Sequence, residues 1–262
     1  MSLSRQVPEF SLVFPAYNPG NRLGQTLDEL EGFLRGVNEL WELVFVCDGC
    51  TDGTVEQIRR WQPKTGLVRL IDYAPNRGKG YALRQGLIGA SGRYRIFTDI
   101  DLAYPFADVT RVAKTLQAGS PVVIASRSHP ESQLTVSQGL LGYAYRRSVQ
   151  SWVFARLVGL LLPLRQGDTQ AGLKGFTADA VRKIVPRLAC DGFGIDCELL
   201  TACVRLGLNV TEIPVSVRYD ADNSTTNFRS TLRMIRELWR IRRAWPASIT
   251  PETVQPSYRE AA

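Results

Sequence analysis

Residues Trp41–Gly53 read WELVFVCDGCTDG, and they decide the fold class because a buried-strand pattern passes directly into a polar turn. Seven mostly apolar residues are followed at once by the pair Asp48-Gly49. The next polar pair, Thr51-Asp52, has the residue types that cap helices and predicts a helix running to about Trp61. A strand, a short polar turn and a helix together form the repeating unit of a parallel α/β sheet.

Strand-like and helix-like segments alternate on both sides of this stretch. Short apolar runs bounded by turn residues predict strands at Phe10–Ala16, Trp41–Cys47, Leu67–Asp72, Tyr94–Thr98 and Pro121–Ser126. Helical spacing predicts helices over Leu23–Leu34, Thr51–Trp61, Tyr81–Ala90 and Pro105–Gln117. Near-continuous apolar strands separated by helices predict an α/β, Rossmann-like fold. We expect a mainly parallel central sheet with helices on both faces.

The second half of the chain is more helical. Helices are predicted at Leu140–Leu164, Ala178–Val185, Asp196–Leu206 and Ser230–Trp245, and one strand at Asn209–Arg218. We find no internal repeat and no linker that would separate independent domains. We therefore expect one domain with two lobes over residues 1–245, followed by a loose tail at 246–262.

Composition narrows the class of protein. The net charge of +7 suits an acidic partner, which leaves nucleic acid, an anionic membrane or a phosphate-bearing substrate open. No run of about 18 apolar residues and no apolar signal-peptide core is present, so we expect a cytoplasmic protein. Five sparse cysteines fit a reducing compartment. A zinc site at Cys47 and Cys50 would need two more ligands, and the chain has a single histidine.

Polar side chains follow three of the predicted strands. The first strand runs into Tyr17, the second ends at Asp48, and the fourth ends at Asp99 and Asp101. In parallel sheets ligands sit at the carboxyl ends of the strands, so these side chains are expected in one crevice. Carboxylates packed together repel, and an Asp-x-Asp at such a place suits a hard divalent metal that carries phosphates.

Several nucleotide and hydrolase motifs are absent. No G-x-G-x-x-G follows the first strand, and neither a P-loop nor a G-x-S-x-G occurs. Lys79, between Gly78 and Gly80, fits either a lysine near a diphosphate or a plain helix start, and both interpretations stay open. A non-catalytic nucleic-acid binder would leave the acidic strand ends unexplained, because Asp repels phosphate unless a metal intervenes. We therefore expect no nucleic-acid partner.

Seven stretches carry a resemblance to a known family. The chain resembles family-2 glycosyltransferases with the GT-A fold, most closely the dolichyl-phosphate or polyprenyl-phosphate glucosyltransferases. The resemblance covers about residues 9–243. The stretches occur in the family's order and spacing, and they are FPAYNPGNRL, VCDGCTDGT, NRGKGYALRQGL, FTDIDLAYP, ASRSH, DTQAGLKGF and DGFGIDCELL.

The resemblance implies a site in two halves. About residues 9–126 would bind the nucleotide-sugar through Pro15 and further residues, with Tyr17 and Asp48 at the base, Lys79 near the donor and Asp99 nearer the ribose or sugar. Asp101 would hold Mg²⁺ or Mn²⁺. About residues 127–245 would bind the acceptor. Asp168, Gln170, Asp196 and Glu198 match that half, and Asp99, Asp101, Asp196 and Glu198 are the implied catalytic set. Arg127, Arg146 and Arg147 are candidates for gripping phosphate, which arginine binds in a bidentate manner.

The chain departs from the family at three positions. Cys47 and Cys50 replace the first Asp and the Ser of the usual Asp-Asp-Gly-Ser, and Pro19 replaces a common Glu. The implied reaction is the inverting transfer of a sugar, glucose from UDP-glucose, to a polyprenyl or dolichyl phosphate. Transfer of mannose from GDP-mannose, or transfer to a glycan hydroxyl, stays open. A sugar-nucleotide nucleotidyltransferase is less well matched, because the first loop lacks its Gly-rich, Arg-bearing pattern.

Some candidate residues also have ordinary structural interpretations. Asp52 is expected to cap a helix, and Asp168 either caps a turn or touches sugar. Asp196 and Glu198 lie two residues apart, so at most one of them faces the site.

The last predicted helix has a basic face. Its arginines recur at steps of 4, 3, 4 and 3, and Phe228, Leu232, Ile235 and Trp239 lie beside them. This face, with the apolar stretch Val153–Leu164, suits peripheral attachment to an anionic membrane surface on its inner side. A core-packing helix with a solvated basic face is the alternative. The arginines are Arg229, Arg233, Arg236, Arg240 and Arg243.

Overall fold

The structure is a computed structural model that describes residues 7–61, 63–136, 154, 156–219 and 228–245. Within these residues the chain forms strands and helices in close alternation. The strands are β1 (Phe10–Ala16), β2 (Trp41–Asp48), β3 (Leu67–Tyr73), β4 (Tyr94–Phe97), β5 (Val122–Ala125), β6 (Gln133–Val136), β7 (Lys174–Thr177), β8 (Val210–Ile213) and β9 (Ser216–Tyr219).

The helices separate most of these strands. They are α1 (Arg22–Arg35), α2 (Thr54–Arg60), α3 (Lys79–Gly89), α4 (Phe106–Gln117), α5 (Ala178–Ile184), α6 (Ile195–Arg205) and α7 (Phe228–Ala244), with a 3₁₀ turn at Val185–Arg187. Residues 156–161 are also helical. The expected helix at Leu140–Leu164 lies mostly outside the described residues, and so does the expected tail at 246–262.

Seven strands form one sheet in the order β3-β2-β1-β4-β7-β5-β8. Strands β1 to β4 pair in parallel, and so do β5 and β8. Strand β7 runs antiparallel between β4 and β5. The expected mainly parallel α/β sheet is confirmed, and the antiparallel strand at its centre is an addition to it. A second sheet pairs β6 with β9.

Alternate residues of the strands pack against helices on opposite faces of the sheet. Val13 and Val44 pack on the face covered by α3, α5, α6 and α7. Leu12 and Phe45 pack on the face covered by α1, α2 and α4. Strand β2 is buried along its whole length, whereas the edge strand β3 is largely exposed or half-buried. Apolar burial on both faces explains why the inner strands have near-continuous apolar sequences.

One predicted strand is divided in two. We predict a single strand at Asn209–Arg218, but β8 ends at Ile213 in the main sheet and β9 begins at Ser216 in the small one. Pro214 stands at the break, and a proline has no N–H to donate to a strand ladder. The short strands β6 and β7 have no counterpart in the sequence prediction. Strand β7 contains a lysine and a glycine, which obscure its apolar pattern.

Candidate active site

The two carboxylates that follow β4 lie beside the lysine that begins α3. Lys79 Nζ lies 2.7 Å from Asp99 Oδ1. Asp101 Oδ1 accepts a bond from the Ala103 amide at 3.3 Å, and its Oδ2 lies 3.9 Å from the Arg22 guanidinium. Asp101 therefore has weak compensation for its charge, although it is largely enclosed.

Burial and neighbouring charges raise the pKa values of two residues in this cluster. Burial, followed by the charge of Asp99, raises the pKa of Asp101 above its ordinary value. Burial by itself lowers the pKa of Lys79, but the charges of Asp99 and Asp196 outweigh it and raise that pKa. Raised carboxyl pKa values of this kind indicate a place where a further cation would be stabilised.

Asp48 is buried at the end of β2 and fixes the turn that leads to Lys79. Its two carboxylate oxygens accept bonds from the Arg77 and Gly78 amides at 2.7 and 2.8 Å, and its carbonyl accepts one from the Asn76 side chain. Gly78 has φ +101°, and a Cβ there would collide with the Asp191 carbonyl. The main chain before Lys79 is thus held both by Asp48 and by close packing.

The end of β1 provides an exposed aromatic ring near this turn. Tyr17 directly follows β1 and is 58% exposed, and Pro15 in β1 is half-buried. The Thr51 amide donates to Asn18 Oδ1 at 2.8 Å, which ties the loop after β1 to the loop after β2. The expectation that the ends of β1, β2 and β4 share one edge of the sheet agrees with the parallel register of these strands.

Asp168 is buried and paired with Arg127. Arg127 Nε and Nη2 donate to its two oxygens at 2.6 and 2.9 Å, and the Arg127 amide donates to Oδ2 at 3.0 Å. The Gln170 amide also donates to Oδ1, so Asp168 does cap its own turn. Burial by itself raises the pKa of Asp168, but the bonds from Arg127 outweigh it and lower that pKa.

The neighbouring carboxylates of α6 have separate partners. Asp196 Oδ1 accepts a bond of 2.6 Å from Lys174 Nζ, and its charge raises the pKa of Lys79. The Glu198 carboxylate accepts bonds from the Ala189 and Cys190 amides. Asp196 is therefore the member of this pair that lies toward Lys79, while Glu198 holds the loop before α6.

The remaining polar residues of the loop after β2 have structural contacts. The N-cap of α2 is Gly53 and not Asp52, but Asp52 accepts bonds from the amide and hydroxyl of Thr54, the first residue of α2, and another from the Gly20 amide. Cys47 is fully buried, and the Cys50 thiol donates to the Ala16 carbonyl. Among the described residues, no cluster of three or more His, Cys, Asp or Glu side chains forms a complete metal cage.

A family model for glycosyl transferase family 2 matches residues 11–181, which include Asp48, Lys79, Asp99, Asp101 and Asp168. The chain belongs to glycosyl transferase family 2. The resemblance expected from the sequence motifs is therefore confirmed, and the protein is a glycosyltransferase.

Curated relatives of this glycosyltransferase include dolichyl-phosphate beta-glucosyltransferases. The protein of Drosophila melanogaster is 32% identical over 89% of this chain and 74% of its own length. The protein of Saccharomyces cerevisiae is 31% identical over 90% of this chain and 74% of its own length.

Solved structures support the GT-A fold. Glucosyl-3-phosphoglycerate synthase of Mycobacterium tuberculosis in complex with UDP gives a TM-score of 0.62 at 21% identity, covering 90% of this chain and 80% of that chain. The same enzyme with Mn²⁺ and UDP-glucose gives a TM-score of 0.62 at 20% identity, covering 91% and 79%.

Sequence reasoning did not single out Lys174, which pairs with a candidate site residue, and it named two residues that the structure does not describe. Lys174 has no exposed surface and pairs with Asp196, and its signal in the sequence is a lone charge within the apolar run before Phe176. Arg146 and Arg147 lie outside the described residues, so their phosphate-binding role stays a prediction.

The last helix, α7, has a buried face and a basic face. Met234, Leu238 and Ile241 are buried, while Arg236, Arg240 and Arg243 are exposed and Trp239 is 52% exposed. The Arg242 guanidinium donates to the carbonyls of Leu160 and Leu161, which brings the 76% exposed Leu160 beside α7. In the described part of the chain, no helix is both long and apolar enough to cross a bilayer.

Proposed function

We propose that this glycosyltransferase moves glucose from UDP-glucose to a polyprenyl phosphate with inversion at the anomeric carbon. The observation that carries the proposal is the Lys79–Asp99 ion pair beside the weakly compensated Asp101. The relatives named dolichyl-phosphate beta-glucosyltransferase support the choice of sugar and acceptor.

The donor is assigned to the edge of the sheet where β1, β2 and β4 end. Tyr17, with Pro15 behind it, and Asp48 would hold the base, and Asp99 would face the ribose or sugar. The residues fit a divalent cation, because Mg²⁺ is commonly bound by one or two carboxylates together with substrate phosphates. Asp101 would hold Mg²⁺ or Mn²⁺, which supplies charge stabilisation to the departing diphosphate.

The reaction forms one bond and breaks one. An oxygen of the lipid phosphate attacks the anomeric carbon, the bond from that carbon to the diphosphate oxygen breaks, and its electron pair leaves with UDP. Lys79 lies where its positive charge would stabilise the negative charge that develops on the diphosphate. The acceptor phosphate is already ionised near neutral pH, so no residue has to remove a proton from it. Asp196 then orients a substrate rather than acting as a base.

The acceptor is assigned to the second half of the chain. Arg127, Arg146 and Arg147 would bind the phosphate of the acceptor. Asp168 holds the Arg127 guanidinium in place. Gln170 follows Asp168 on the same turn. Should the acceptor be a hydroxyl instead, a general base would be required, and Asp196 is better placed for it than Glu198, whose oxygens bind backbone amides.

A lipid acceptor requires contact with a membrane, and α7 is the surface we assign to it. Its exposed arginines would lie on anionic headgroups, with Trp239 and Leu160 inserted at a shallow depth. Each arginine near the surface contributes about 1 kcal/mol of binding free energy. The protein would then act as a peripheral enzyme on the inner face of the membrane.

A transfer assay tests the activity. The full-length protein is incubated with Mn²⁺, a short-chain polyprenyl phosphate and each of UDP-glucose, UDP-galactose and GDP-mannose, and the anomeric configuration of the product is read by NMR. We expect a beta-linked lipid-phosphate glucose from UDP-glucose alone. Product from GDP-mannose would overturn the choice of donor, and transfer to polyprenol or a glycan but not to the phosphate would overturn the acceptor.

Vesicle flotation tests the membrane surface separately. We expect Arg236→Gln with Arg240→Gln to weaken binding to anionic vesicles at low salt by about 2 kcal/mol, roughly 30-fold. Arg35→Gln with Arg60→Gln removes the same charge from α1 and α2, on the opposite face of the sheet, and is the matched control. Equal losses in the two variants would contradict a role for α7.

A further inference from the structure

Lys174 is a charged side chain with no exposed surface at the centre of the sheet. It lies on β7, where Nζ donates to Asp196 Oδ1 and to the Ala171 carbonyl, both at 2.6 Å, and lies 5.5 Å from the centre of the Phe97 ring. An isolated ammonium in such a place is strongly disfavoured, and pairing with a carboxylate is what makes it tolerable. Because burying this ion pair costs free energy, packing alone does not explain its presence.

The two partners of Lys174 lie on two sides of the candidate site. Asp196 lies in the first turn of α6, and its charge raises the pKa of Lys79. Ala171 precedes Gly172, where a Cβ would collide with Asp99 Oδ2. Lys174 therefore connects a carboxylate of the acceptor half with the backbone that packs directly behind the donor carboxylate.

One oxygen of Asp196 is used by Lys174, and the other is available. Within the residues that the structure describes, no hydrogen bond reaches Asp196 Oδ2, and the residue is 4% exposed. The titratable groups that interact electrostatically with the pair are Lys79 of α3, Asp168 before β7, and Cys197 and Cys203 of α6.

We infer that Lys174 is a positioning residue for the proposed transfer, which holds the Asp196 carboxylate turned so that Oδ2 accepts a hydrogen bond from a sugar hydroxyl. The inference rests on the proposed function. Lys174 itself touches no substrate and acts through Asp196. A hydroxyl-rich ligand suits this oxygen, because a phosphate would be repelled by the carboxylate.

A set of three variants tests this role. Lys174→Met keeps the length of the side chain and removes its charge, Asp196→Asn removes the partner's charge, and the double variant removes both. We expect Lys174→Met to lower kcat about 100-fold, the scale of a misplaced orienting group, with the KM for UDP-glucose little changed. We expect the double variant to be no worse than Asp196→Asn.

Three results would overturn the inference. They are a folded Lys174→Met with the wild-type rate, a loss in that variant that falls on the KM for UDP-glucose instead of on kcat, and multiplied losses in the double variant. Where Lys174→Met alone does not fold, the charge-neutral double variant is compared with Asp196→Asn, and a lower rate in the double variant counts against the role.

A readout without substrate separates this inference from the proposed function. The ¹³C NMR signal of the Asp196 carboxyl, assigned by its loss in Asp196→Asn, should shift in Lys174→Met, because the group that turns the carboxylate is removed. An unchanged signal overturns the inference even in a fully active enzyme. Failure of the wild-type protein to transfer any sugar overturns the proposed function, and the signal then still decides whether Lys174 controls Asp196.

Discussion

The carboxylates at the donor edge of the sheet and those of the acceptor half have opposite electrostatic surroundings. Asp101 has one weak contact with a cation and a raised pKa. Asp168 is deeply buried, receives three bonds from Arg127 and has a lowered pKa. Asp196 is tied to a lysine with no exposed surface.

This contrast indicates that the two regions differ in how far their carboxylates are compensated by positive charge before a ligand binds. At the donor edge Lys79 pairs with Asp99, but Asp101 lacks the close positive charge that an incoming cation would supply, so this carboxylate is destabilised in the free protein. The acceptor half carries its own cations and is organised before any ligand arrives. Substitutions in either region should remove or reduce this difference in charge compensation, and replacing Asp101 should have the largest effect.

Replacing Asp101 by Asn should abolish metal-dependent transfer, with a loss of at least about 100-fold, because the charge that would hold the cation disappears. The same change should stabilise the metal-free protein. A carboxyl whose folded pKa is raised destabilises the fold while ionised, and this cost is relieved as pH falls through that pKa. We expect a higher Tm than wild type at pH 7, with a gain that shrinks toward pH 4.

Calorimetry with and without Mn²⁺ checks both effects of the Asp101 change. Asp28→Asn removes one negative charge from the exposed side of α1 and serves as the control, with transfer and Tm close to wild type. An Asp101→Asn protein that retains most of its activity would show that the metal assignment is wrong.

On the acceptor side, Arg127→Met leaves Asp168 buried without its partner and should destabilise the protein by about 3–5 kcal/mol. The lowered pKa of Asp168 means that the pair stabilises the fold above the unfolded carboxyl pKa of about 3.9, and that this contribution is lost as pH falls through the folded value. Without Arg127, burial raises the pKa of Asp168 in the variant, so the difference from wild type should be largest near neutral pH and shrink as pH falls through that raised pKa.

Urea unfolding across this pH range measures the Arg127 effect. Arg35→Met breaks the exposed pair with Glu31 on α1 and should change stability by less than about 0.5 kcal/mol. Equal effects of the two substitutions would remove the contrast between a buried and a surface pair.

Asp48→Ala should weaken UDP binding by about 1–3 kcal/mol, or roughly 5- to 150-fold. The proposed contact with the base is lost, and the amides of Arg77 and Gly78 lose their acceptor. Titration calorimetry measures the affinity, with Asp28→Ala as the matched control. Unchanged UDP affinity would reject Asp48 as a donor-binding residue.

The smallest effect concerns thiol chemistry at the donor edge. A hydrogen bond from the Cys47 thiol lowers the pKa of Cys50 to about 7, whereas burial raises the pKa of Cys190, Cys197 and Cys203 to about 12. We expect iodoacetamide at pH 7.5 to label Cys50 first, at a rate half-maximal near pH 7, and Cys50→Ser to abolish this fast phase. First labelling of another cysteine, or a rate that rises only above pH 8.5, would contradict the assignment.

The sequence predicted the donor edge better than the acceptor half for a physical reason. Asp48, Asp99 and Asp101 directly follow apolar strands, so local pattern and parallel topology together bring them to one edge. The pairs of the acceptor half join residues far apart in the chain: Asp168 with Arg127, and Asp196 with Lys174. No local pattern specifies such pairs.

The inserted strand β7 has a consequence for how the protein can be made or divided. Strands β4 and β5 both precede residue 126, yet they do not touch, because β7 occupies the position between them. A nascent chain that has not yet extended to Thr177 leaves unpaired edges on both sides of this position. We therefore expect a fragment ending at residue 126 to aggregate during expression rather than fold as a free-standing nucleotide-binding unit.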